Sequence, residues 1–137
     1  MKVAFASMRG KQLDGHFGQC RSFSVFVLDP GGYRWLEHRA APEPLAGETD
    51  EERIARKLSV IDDCELLFVS RMGLGAVENA LARGIMVLQQ EAGAEVIPLA
   101  EGLVRLLRGD PPLWLKKALD RARLRENRRT AAANSEE

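Results

Sequence analysis

The segment Asp63-Cys64-Glu65-Leu66-Leu67-Phe68-Val69-Ser70 sets four apolar residues in a row between polar flanks. A short unbroken apolar run of this kind reads as a strand covered on both faces. Working upstream, Ile54, Leu58 and Ile61 recur at helical spacing, and Thr49 followed by Glu52 matches a capping box at the start of that helix. Downstream, Gly73 precedes a helix with Leu74, Val77 and Leu81 on one face, and Gly84 stands where a left-handed C-cap belongs. Ile85 to Leu88 is a further apolar strand. Helix and strand therefore alternate on both sides of the 66–69 run, the pattern of parallel strands joined by crossover helices.

The N-terminal third follows another rule. Val3-Ala4-Phe5-Ala6 is a buried strand, and Phe23, Val25 and Val27 alternate with Phe26 and Leu28. Asp29-Pro30-Gly31-Gly32 is a turn, and Tyr33 to His38 returns as its hairpin partner. Ala40 to Gly47, rich in Pro and Ala, reads as a linker. At the other end, Glu95 to Pro98 is expected to form a short strand and Leu99 to Leu107 a helix that Gly109 and Pro111 stop. A last helix begins near Pro111-Pro112, with Leu115, Ala118, Leu119 and Ala122 turned inward. The expectation is an α/β domain over residues 1–120, with a mixed sheet made of an N-terminal antiparallel hairpin and parallel strands, and flanking helices. Residues 121–137 are expected to be a basic helix end, with a disordered tail from Thr130 to Glu137.

Composition limits the function. The 137 residues carry 20 Lys and Arg against 20 Asp and Glu, so no whole-chain charge favours nucleic acid or a membrane surface. Two cysteines exclude a disulfide scaffold, and since an iron–sulfur cluster takes about four thiolates, two cysteines and two histidines cannot build a closed cage for one. Met1 to Ser7 reads as a short strand and not as a signal peptide, no apolar run reaches membrane-spanning length, and with free thiols the cytoplasm is the expected compartment.

The segment richest in chemistry is Leu13-Asp14-Gly15-His16-Phe17-Gly18-Gln19-Cys20, in an aperiodic stretch from Ser7 to Cys20. It holds an imidazole and a thiol four residues apart, both of them metal ligands. Gly15 and Gly18 bracket His16-Phe17 and let the backbone approach a bulky ligand, while Arg9, Lys11 and Arg21 add positive charge suited to an anion. The bland alternative gives His16 a backbone hydrogen bond, Phe17 a place in the core, and Cys20 the role of a small buried residue. A lone His–Cys pair is not in itself a metal motif.

Asp14-Gly15-His16-Phe17-Gly18, after a first strand and before Phe23-Ser24-Val25-Phe26, resembles the signature of the nitrogenase iron–molybdenum cofactor carrier family, to which NifX, NifY, NafY and the C-terminal domain of NifB belong. The segment from Asp63 to Ser70 with Met72-Gly73, and the stretch Ala80 to Ile85, are similar to the family's strand–glycine–helix unit. Pro111-Pro112-Leu113-Trp114-Leu115-Lys116-Lys117 resembles the Pro-Pro-Trp-Leu ending of the NifX and NifY branches, with Leu113 where a further proline is common. The resemblance runs from Met1 to about Leu119 and is most like the NifX branch. It implies a ribonuclease H-like fold and a non-enzymatic carrier of the iron–molybdenum cofactor, or of its iron–sulfur precursor, between assembly proteins: a NifB donor, a NifEN scaffold or apo-dinitrogenase. It places His16 on the family's cofactor-binding histidine, with Cys20 within reach. A chaperone that grips a nitrogenase subunit without holding a cluster is the alternative.

Other signals weigh less. Gly73-Leu74-Gly75 suggests a dinucleotide fingerprint, but Glu78 stands where that motif needs a small residue. The helix start beside Arg71 could instead offer amides to an anion, or the glycines could simply serve packing. A ribonuclease H-like nuclease would need an acid on its first strand, and Val3 to Ser7 supplies none. Cys64 between Asp63 and Glu65 reads as structural, Met72 as a gap filler, and His38 as a surface residue. Asp62 and Asp63 point apart on a helix. Arg121, Arg123, Arg125, Arg128 and Arg129 suit either a solvated helix end or protein docking better than RNA.

Overall fold

The computed structural model describes residues 1–135. Its elements run β1 (Lys2–Ala6), β2 (Ser22–Asp29), β3 (Gly32–Ala40), α1 (Asp50–Ser59), β4 (Leu66–Val69), α2 (Leu74–Ala82), β5 (Met86–Gln89), α3 (Val96–Arg108) and α4 (Leu113–Ser135). One sheet takes the order β3-β2-β1-β4-β5. β1–β2 and β2–β3 pair antiparallel, whereas β1–β4 and β4–β5 pair parallel. This is the expected mixed sheet, and β1 is the strand at which its direction rule changes.

Successive side chains of a strand point to opposite faces, so each unbroken apolar run feeds two cores. Val3, Phe5, Leu66 and Phe68 join Phe26 and Leu28 on the side that α3 and α4 cover. There Phe5 stacks on Phe68 with centroids 5.0 Å apart and meets Phe26 edge-on at 5.4 Å. Ala4, Ala6, Leu67 and Val69 join Phe23, Val25, Leu58 and Ile61 on the side that α1 and α2 cover. Thr49 Oγ1 accepts the Glu52 N–H at 3.1 Å and caps α1. Gly84 ends α2 at φ +82°, and the Ile85 N–H reaches back to the Ala80 carbonyl, closing a Schellman turn.

Three expectations are corrected. The buried face of α2 is Ala76 and Ala80, while Leu74 and Leu81 are 75% and 54% exposed. Both sets obey helical spacing, and small side chains win because they let the helix approach the sheet closely. Glu95 to Pro98 is not a strand. Val96 is fully buried at the start of α3, Pro98 fits that helix's first turn, and only a single bridge from Glu95 to Gln12 remains of the strand pattern. The stretch Thr130 to Ser135, expected to be tail, continues α4, where Ala131 and Ala132 are strong helix formers. Glu136 and Glu137 lie outside the described residues.

Asp62 and Asp63 lie in the turn after α1 and not on a helix as expected, yet they take separate partners. Asp62 meets Arg83 at 3.5 Å, whereas Asp63 accepts from Lys2 Nζ at 2.8 Å and Arg39 Nη2 at 3.0 Å. Burial opposes the Asp63 charge, but the hydrogen bonds from Arg39 and Lys2 prevail and hold its carboxyl well below the ordinary range. A carboxylate depressed on folding adds stability above its unfolded pKa, which is lost as the pH falls from about 4 toward strong acid. Asp63→Asn should therefore cost about 1 kcal/mol at neutral pH, the scale of a partly exposed ion-pair network, and nothing at low pH. Buried Glu65 shifts in the opposite direction, so the test is the difference between wild-type and Asp63→Asn denaturation curves across pH. A difference that does not shrink in acid would refute this account.

Candidate functional site

The loop after β1 carries His16 on a scaffold of main-chain bonds. The Asp14 N–H donates to the Ala6 carbonyl at 3.1 Å, the Leu13 N–H to Ala94 at 2.9 Å, and the Val96 N–H to Lys11 at 2.9 Å. Leu13 is buried beneath it. Gly15 turns at φ +51°, its carbonyl accepts the Ser70 hydroxyl, and the Phe17 N–H donates to the Arg71 carbonyl at 2.8 Å. His16 and Arg71 thus sit side by side in a parallel bridge, although 55 residues separate them in sequence. Phe17–Gln19 then form one turn of 3-10 helix.

The exposed His16 lines an open groove of about 610 Å³ with Gly15, Ser70, Arg71, Gln89 and Glu91. This groove lies beyond the carboxyl ends of β4 and β5, next to the switch strand β1, where open α/β sheets characteristically bind ligands. The Arg71 side chain is exposed there without an ion pair among the described residues. Within the described residues, no group of three or more His, Cys, Asp or Glu side chains is placed to hold a metal ion, which leaves His16 as the single imidazole donor at the groove.

The structure divides the residues that the sequence grouped together. Cys20 is buried, its Sγ donates to the Ser22 carbonyl at 2.9 Å, and burial pushes the thiol pKa up. It lines a second cavity of about 800 Å³, together with Gly18 and Arg21, and not the His16 groove. Phe17 is core, packed in the cluster under α1. Arg9 and Lys11 are exposed on the loop and line neither cavity.

Lys57 escaped the sequence reading. It is 6% exposed, donates to the Phe17 carbonyl at 2.8 Å and the Gly18 carbonyl at 3.1 Å, and lies 5.1 Å from the Phe17 ring centroid. Burial, then the charge of Arg53, lowers its pKa, while Cys20 opposes the shift. The available signal was its place in the apolar stripe, three residues after Ile54 and four before Ile61. Ser70, Gln89 and Glu91 carried no signal, and Arg71 was read only as a neighbour of the α2 start. Cys64 is fully buried, and burial more than Asp63 pushes its pKa up to about 12. Met72 lies in the core. His38 is exposed on β3, near Trp35 and against Gly10, where a Cβ would meet its Cε1 at 3.1 Å. On α4, Arg125 reaches buried Glu65 at 3.3 Å.

Residues 1–105, from β1 through most of α3, match the family model described as dinitrogenase iron-molybdenum cofactor. The chain belongs to this family. It is 34% identical to the NifX protein of Azotobacter vinelandii over 99% of this chain and 85% of the relative, and 29% identical to that of Herbaspirillum seropedicae over 91% and 86%. Against the NifY protein of Azotobacter vinelandii the identity is 31%, covering 87% of this chain but 48% of that protein. Among solved structures, the crystal structure of PH0822 superposes with a TM-score of 0.60 at 17% identity, covering 77% of this chain and 91% of that one, a likeness of fold. Among the described residues no helix is long and apolar enough to cross a membrane.

Proposed function

We propose that this member of the dinitrogenase iron-molybdenum cofactor family serves biosynthesis of that cofactor as a non-enzymatic carrier. It binds the iron–molybdenum cofactor or its iron–sulfur precursor at the His16 groove and passes it from a NifB donor or NifEN scaffold toward apo-dinitrogenase. One observation carries the reading: an exposed imidazole, on a loop fixed by main-chain bonds, stands at the carboxyl end of the parallel strands beside Arg71, which has no ion pair among the described residues. A protein histidine can ligate iron, and cations with backbone groups complement an anionic cluster. One ligand grips less than a thiolate cage of about four, as suits cargo that must leave. Arg9 and Lys11 extend the positive charge along the loop, whereas Cys20 and Arg21 face the other cavity. The names of the relatives agree with this setting, since NifB of Rhodobacter capsulatus, 27% identical over 75% of this chain, is a FeMo cofactor biosynthesis protein. The antiparallel hairpin joined to parallel strands supports reading the fold as ribonuclease H-like.

The test supplies the isolated precursor cluster to the purified chain under anaerobic conditions. The protein should turn brown, gain iron in proportion, and release it to an apo scaffold. Capture of a nitrogenase subunit or scaffold protein with no iron uptake would replace the carrier reading with the chaperone reading.

A further inference from the structure

We propose that the cavity between the 3-10 turn, the segment 40–44 and α1 is a second binding site, which takes a small oxyanion, a phosphate or a carboxylate, on Arg21, Arg53 and Lys57. The cavity, of about 800 Å³, is larger than the His16 groove and shares no lining residue with it. Three cations from two separate parts of the chain converge on it, against one carboxylate, Glu43. Arg53 and Lys57 are four apart on α1, so like charges share one helix face, a mildly unfavourable pairing that an anion between them would relieve.

The hydrogen-bond inventory points the same way. Arg53 Nε has no acceptor among the described residues, its side chain is 42% exposed, and the guanidinium's ion partner is Asp50, 3.8 Å away and almost fully exposed. Arg56, one turn over, is by contrast satisfied by Glu48 at 2.8 Å and the Glu43 carbonyl at 3.2 Å. Lys57, more than nine-tenths buried, spends two of its three ammonium hydrogens on Phe17 and Gly18 and keeps one. Donors with spare hydrogen-bonding capacity, on cations that line a cavity with excess positive charge, suit an anionic acceptor. The Cys20 thiol, bonded to the Ser22 carbonyl and held protonated by burial, adds no negative charge to repel such a ligand.

The experiment titrates the full chain with sodium phosphate and, separately, with citrate at constant ionic strength, by calorimetry and by amide chemical shifts. At least one probe should bind and move the amides of Gln19, Cys20 and Ala41 while leaving those of Ser70 and Arg71 in place. Arg53→Gln or Arg21→Gln should weaken binding about tenfold, the scale of one lost charge-assisted contact, and the charge-matched control Arg105→Gln on α3 should not. Binding of phosphate alone assigns the site to phosphate-bearing ligands, and binding of citrate alone assigns it to carboxylates. Binding of neither probe, or binding that Arg53→Gln and Arg21→Gln both leave unchanged, overturns the proposal.

Discussion

Lys57→Met is expected to lower stability by about 2 kcal/mol and the melting temperature by roughly 7 °C in a chain of this size. Methionine keeps the length of the apolar stem, so packing changes little, but it offers no donor to the carbonyls of Phe17 and Gly18. Both carbonyls would then lose a charge-assisted bond, the Phe17 carbonyl keeping the Cys20 N–H at 3.2 Å and the carbonyl of exposed Gly18 turning to water, at about 1.5–3 kcal/mol together, while relief from burying an ammonium offsets part of that cost. The lowered pKa of Lys57 does not contradict this expectation. It compares a charged with a neutral lysine, and a neutral amine still donates to both carbonyls. Thermal unfolding followed by circular dichroism supplies the number, and amide hydrogen exchange at Gln19 and Cys20 locates it. A melting temperature within about 2 °C of wild type would mean that these bonds do not hold the turn.

Unbroken runs such as Leu66 to Val69 were legible because a strand buried on both faces admits no polar residue, and the flanking periods then fixed helix, strand and order. What was not legible was a choice between two stripes of equal period. On α2 both Leu74/Val77/Leu81 and Ala76/Ala80 repeat correctly, and hydrophobicity alone favours the leucines, whereas close helix–sheet approach favours the alanines. Val96 to Pro98 failed for a related reason, since a few β-compatible residues also fit a helix's first turn. That His16 stands on a polar loop was legible through its bracketing glycines, whereas its role was assigned only through the family resemblance. Its separation from Cys20 was not, because spacing along an aperiodic loop says nothing about direction, and the intervening 3-10 turn carries Cys20 into another cavity. Arg71 joined His16 through a bridge between segments far apart in sequence, which no local pattern encodes.

His16→Ala should reduce uptake of the precursor cluster about tenfold, the loss of one metal ligand, and move the melting temperature by no more than about 1 °C. Activity and stability separate here because of how the loop is built. The imidazole is exposed and makes no capping bond to the 3-10 turn it precedes, while Gly15, Phe17 and Leu13 fix the backbone through Ser70, Arg71 and Ala94. Nothing in the fold therefore depends on the ring, and whatever is lost belongs to binding. Arg71→Gln separates ligation from charge: it should weaken uptake by roughly threefold, in the range of an exposed charge contact, and the deficit should fade as salt is raised. The His16→Ala deficit should persist at high salt, because a ligand bond is not screened. If the His16→Ala chain takes up iron as wild type does, His16 leaves the mechanism. If its deficit instead disappears with salt, the histidine contributes charge or position and the cluster is ligated elsewhere.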